Sequence, residues 1–210
     1  MNLSASFSHK TLTTHKVMLL VCLALIPGAL LQIYWFGFGV LINLVLCSLF
    51  ALSAEYLILR LRNRAPFTSL KDNSALVTGL LLGVSLPSTL PVWMTFIGVY
   101  FAIIFAKQVY GGLGNNPFNP AMVGYVLLLI SFPVEMTAWL PSRELSQNLP
   151  NLSESLQLIL FAETSAGLTV EDFRRLADGF TMATPLDQVK TQASMGLMTN
   201  EIFKALFIRH

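Results

Sequence analysis

The sequence predicts an all-α polytopic membrane protein with about five membrane segments, and three observations carry that prediction. Of 210 residues, 54% are hydrophobic and only 11% charged, against about 25% charged in ordinary soluble domains. The mean hydropathy is +0.65. The few charges gather at the ends of long uncharged runs. A soluble fold of this composition would need more core than 210 residues can enclose, so much of the chain has lipid as its solvent. A soluble enzyme and a disordered chain are thereby excluded. So is a nucleic-acid partner, because the formal net charge is only +2 and no dense basic run appears.

Residues 17–36 form an uncharged run whose length, at about 1.5 Å per residue, matches a bilayer core of about 30 Å. Behind Lys10 and Lys16, and without a small-residue cleavage site after it, this run reads as a retained first span and not as a signal peptide. Pro27-Gly28 predicts a kink within it. Gly37 and Gly39 mark a tight turn, and residues 40–59 form a second span ending in Arg60, Arg62 and Arg64.

From 73 to 106 the chain carries no charge for 34 residues, which as one helix would be about 51 Å long and overshoot a membrane. It must break, and the string SLPSTLP at 85–91 supplies the break. The pieces, 73–86 and 92–106, are two thin crossings or a re-entrant hairpin, and interrupted helices of this kind often build a site at membrane depth. Residues 108–119, QVYGGLGNNPFN, are too polar and broken to span and form a loop. A last span covers 121–140, with Pro133 and Glu135 near its far end. The chain thus divides into a membrane domain, 1–140, and a segment, 141–210, on the side opposite the N-terminus.

Charge agrees with this arrangement. Seven basic residues on the N-terminal side (Lys10, Lys16, Arg60, Arg62, Arg64, Lys71, Lys107) face two acidic ones (Glu55, Asp72), a balance of +5. From residue 141 onward six basic residues face eight acidic ones, a balance of −2. The positive-inside rule makes the N-terminal side cytoplasmic and 141–210 extracytoplasmic. Cys22 and Cys47 sit in apolar runs as small hydrophobes, and the three histidines lack ligand spacing, so no metal is expected.

Three segments rise above this background. Lys71-Asp72-Asn73-Ser74 brings charge and amides to a membrane boundary, either as a helix cap or as an anion or ion site at the start of an interrupted helix. The loop from Gly111 to Pro120 holds Asn115, Asn116 and Asn119, either as a tight turn or as amides that bond a polar ring system or line an ion path. It lacks the lysine of a P-loop. Asp178-Gly179-Phe180-Thr181-Met182-Ala183-Thr184-Pro185-Leu186-Asp187 reads from residue types alone as a turn with exposed hydroxyls.

Together the strings LKDNSALVTGLLL from Leu70, YGGLGNNPFNPAMVGY from Tyr110 and DGFTMATPLD from Asp178 resemble the D-subunit family of the Rnf/Rsx ion-translocating electron-transport complex. The B subunit of the sodium-translocating NADH:quinone reductase is the related alternative. The resemblance runs from about Val17 to Thr191 in order and spacing. It implies a multi-pass flavoprotein of a bacterial inner membrane, a redox subunit rather than a free-standing enzyme, relaying electrons in a complex that couples redox chemistry to cation movement. It also implies that Thr184 carries FMN through a phosphoester, within a motif flanked by Asp178, Gly179, Thr181 and Asp187. Here Met182 replaces the usual glycine and reduces backbone freedom beside the site. Implied partners are the other subunits of the complex, a flavin transferase and the lipid bilayer.

Resemblance further implies two inverted repeats, of which this chain is expected to be the first, the N-terminal part of the subunit, followed by its flavin segment. A second, non-covalent flavin such as riboflavin, or a coupling ion, is expected near Lys71, Asp72, Asn115, Asn116 and Asn119. The alternative reading is a passive ion or small-solute pathway without a redox role, suggested by the break at Pro87 and the asparagine loop.

Overall fold

In a computed structural model the chain is described over residues 13–64, 70–144, 146 and 149–175, all within one packing unit, Met1–Leu176. The motif 178–187, with Thr184, lies outside the described residues. Among those residues the fold is helical, with one isolated β-bridge, Glu163 to Thr169, and no strand.

Two long helices come first, α1 (Thr14–Phe36) and α2 (Gly39–Leu61). With 23 residues each and mean hydropathies of 2.3 and 1.9, both are long and apolar enough to cross a membrane. Next comes α3 (Ser74–Ser85), then α4 (Val92–Phe101), which continues as a π-helical turn over Ala102–Gln108. α5 (Pro120–Ser131) and the short α6 (Pro133–Thr137) complete the bundle, and α7 (Leu152–Phe161) and α8 (Val170–Arg175) follow.

Successive helices run in alternate directions. At one end the His15 ring donates to the Lys71 carbonyl at 2.6 Å, and Arg62 donates to the Gln108 carbonyl. At the other end Asn43 donates to the Pro87 carbonyl at 2.6 Å, and the Arg143 amide donates to the Trp35 carbonyl at 2.9 Å. α3 and α4 therefore lie against α2 from Gly39 to beyond Glu55. The expected break falls where the prolines are, with Leu86 extended and helix resuming after Pro91.

Glycine makes the close approach of α2 to its neighbours possible. A side chain at Gly79 would begin 2.7 Å from the Cys47 carbonyl oxygen, and one at Gly39 would collide with that of Ser88. Cys47, Ala51, Leu82, Leu90, Ile103 and Leu128 fill the core between α2, α3, α4 and α5. α1 contributes no buried residue, and Leu30 and Leu31 are each 61% exposed. An apolar surface of that kind suits lipid better than water.

Two expectations need correction. The last span, expected over 121–140, ends as a helix at Ser131: Phe132 (φ −134, ψ 60) leaves helical geometry, as the residue before a proline tends to, and Pro133 starts α6. The second piece of the broken segment, expected to stop at 106, runs on through Gln108 as a π turn. Beyond 141 the described part is not featureless, since Asn151 and Glu154 form a capping box that starts α7.

Candidate functional site

A chain of buried polar side chains occupies the Lys71 end of the bundle. Glu55 lies about three turns along α2 from Asn43, which holds the break, and it is fully buried on the face packed against α3 and α4. Lys107 is 1% exposed and reaches it from the π turn: Nζ donates to Glu55 Oε2 at 2.5 Å and to Ser74 Oγ at 2.6 Å. Gln108, also buried, donates from Nε2 to Glu55 Oε1 at 3.0 Å. Ser74 Oγ in turn donates to Asp72 Oδ1 at 2.6 Å, and the Ser74 amide donates to the same oxygen at 2.8 Å. Separate segments thus converge on one ion pair: α2 supplies the carboxylate, the π turn the ammonium and amide, and the start of α3 the hydroxyl and its capping carboxylate.

Local sequence explains each placement. Asn73 adopts the left-handed region (φ 62), which asparagine tolerates, and so turns the chain for Asp72 to cap α3. The π turn inserts an extra residue into α4, seen in the Val109 amide bonding the Ile104 carbonyl five residues back at 2.9 Å. Such turns concentrate at functional sites. Here the insertion puts both Lys107 and Gln108 inside the bundle and leaves Phe105 on its outside.

Lys71, Asp72 and the asparagine loop do share one end of the bundle. Asp72 is the helix cap its residue type suggests, while Lys71 is exposed and presents its carbonyl to His15. The loop asparagines bond within the loop: Asn116 accepts from the Gly114 amide and donates to the Phe118 carbonyl, and Asn119 caps α5 through the Ala121 amide. The Asn115 amide lies 3.4 Å from where a side chain at Gly111 would begin, and Gly111, Gly112 and Gly114 all have positive φ. No described hydrogen bond joins these asparagines to Lys71 or Asp72. Thr184, Asp178, Gly179, Thr181 and Asp187 lie outside the described residues.

Sequence reading missed the pair at the centre. Glu55 and Lys107 counted as boundary charges, yet both are buried and cancel, which leaves the charge balance of that side at +5. The available signal was Glu55 itself, an acid inside a run otherwise long enough to span, since an ionisable group in such a segment has a partner or a task.

Known proteins share this sequence over nearly its whole length. The model of the NQR2, RnfD, RnfE family matches residues 2–209. The chain is 49% identical over 201 residues to the D subunit of the ion-translocating oxidoreductase complex of Escherichia coli O1:K1 and to that of Escherichia fergusonii. It is 48% identical to the protein of the same name from Escherichia coli O139:H28. In each case 96% of this chain aligns with 57% of the relative, so the chain spans little more than half the length of these relatives. With a match over nearly all of its residues, the chain belongs to the NQR2, RnfD, RnfE family.

Proposed function

We propose that the chain acts as a membrane subunit of an ion-translocating oxidoreductase complex, relaying electrons through FMN attached to Thr184 and coupling that transfer to cation movement. One observation carries the reading: the family match extends over residues 2–209 and so includes the Thr181–Thr184 motif together with the membrane bundle. The relatives' name, D subunit of an ion-translocating oxidoreductase complex, points the same way. Buried charges in an otherwise apolar bundle are what an ion-handling protein requires.

Thr184 suits this attachment by its chemistry, because a phosphoester needs an alcohol. When bound, FMN supplies the electron-transfer chemistry, and the protein fixes its position and surroundings. Asp178 and Asp187 would assist the transferase by holding the divalent cation that accompanies phosphoryl transfer. A covalent link removes the entropic cost of recapturing a soluble cofactor. The reading also takes a second, non-covalent flavin beside the asparagine loop, where the described bonds orient Asn116 and the Oδ1 of Asn119 without using all of their donors and acceptors. Other subunits of the complex, a flavin transferase and a bacterial inner membrane are the partners and setting this function entails.

In-gel flavin fluorescence of denatured protein tests the central claim. Expressed with a flavin transferase, the wild-type band is expected to fluoresce and Thr184→Val to be dark. A dark wild-type band, or a fluorescent Thr184→Val band, overturns it.

A further inference from the structure

We propose that Glu55 and Ser74, the serine oriented by Asp72, form a seat for a partly dehydrated monovalent cation, filled in this structure by the tethered ammonium of Lys107. The proposal rests on the ion-handling part of the function above and names where in this chain a cation would bind.

The hydrogen-bond directions carry the argument. Ser74 Oγ gives its proton to Asp72 Oδ1, so its lone pairs are what face Lys107 Nζ at 2.6 Å. Gln108 Nε2 holds Glu55 Oε1, which leaves Oε2 turned to the ammonium at 2.5 Å. A unit positive charge is therefore met by a carboxylate oxygen and a hydroxyl oxygen, each fixed by a further bond. An alkali cation takes oxygen ligands of the same kind, with retained water completing its shell. Burial completes the seat, with Lys107 1% and Glu55 0% exposed.

A purely structural role would not require these groups, because a buried ion pair is often matched or bettered by apolar side chains of similar volume. Nor would it require the π turn that delivers Lys107. That turn provides the means of exchange: moving its extra residue along the helix rotates each side chain it passes by about 100°. Lys107 would then leave Glu55 while α4 stays in place. The seat lies one hydrogen bond from half-buried Asp72, which is next in sequence to exposed Lys71.

The test is thermal unfolding of the full 210-residue chain in detergent, in NaCl, LiCl or KCl against choline chloride at constant ionic strength. Wild-type protein, its seat filled, is expected to be indifferent to the exchange. Lys107→Met is expected to gain about 5 °C, saturably, in at least one alkali salt, and Glu55→Gln added to it should abolish the gain. A folded Lys107→Met protein with the same midpoint in all four salts overturns the proposal. Should that variant fail to fold in choline, the proposal requires an alkali salt to restore the monodisperse fraction, and equal loss in every salt overturns it. Flavin fluorescence on the same samples reports separately on the Thr184 reading, so either claim can fall without the other.

Discussion

At the scale of single residues, the Glu55–Lys107 pair decides what the Lys71 end of the bundle tolerates. Removing one partner leaves a charge buried among apolar groups, so Glu55→Gln or Lys107→Met, unfolded thermally in choline, is expected to lose about 3 kcal/mol. Glu55→Gln with Lys107→Met together should lose less than the two singles combined, because neither charge is then stranded. An additive double variant would show that the pair is not coupled. Asp72 was legible in the sequence, since an acid just before a helical run is a cap and needs no tertiary information. Glu55 and Lys107 were not, because partners 52 positions apart meet only through the packing of α2 against the π turn.

Elements were legible where the chain is punctuated. Proline at 87 and 91 stopped and restarted the helix where expected, and glycines with asparagine made the loop before α5. The π turn carries no such mark: AIIFAKQ has nothing in its composition that separates a π from an α register. Pro133 constrains Phe132 to non-helical geometry, which ends the last long helix at Ser131, short of the span expected to 140. Glycine positions give the element-scale prediction. Gly39→Ala drives a methyl group into the Ser88 carbonyl oxygen, a backbone atom that cannot swing aside, so the contact between α2 and the break must open. A loss of more than about 2 kcal/mol is expected by thermal unfolding. Gly28→Ala, in α1 with nothing within 4 Å of the new atom, is expected to be neutral or slightly stabilising. Equal effects at the two sites would contradict the close approach of α2 to the break.

For the whole molecule, alternation of the helices and asymmetry of charge make a joint prediction about sidedness. In a Cys22→Ala, Cys47→Ala background, a membrane-impermeant maleimide applied to intact spheroplasts should label Ser165→Cys and spare Arg64→Cys. Inside-out vesicles should reverse the pattern. Labelling of both from one side would break the alternation. The all-α character was readable because lipid imposes a length on apolar runs and leaves the helix to satisfy their backbone. The flavin motif was readable only through resemblance, since its residue types alone describe a turn.

α1 is fastened at its two ends and, between them, by the bond Gln32 donates to the Val84 carbonyl at 2.8 Å. His15 holds one end to Lys71, while Trp35 and Tyr34 receive the Arg143 amide and guanidinium, the latter 4.8 Å above the Tyr34 ring. Both fasteners come from later parts of the chain, and a ribosome delivers Arg143 only after every bundle helix from α2 to α6 has been made. α1 is therefore secured in steps, its Lys71 end before its Arg143 end.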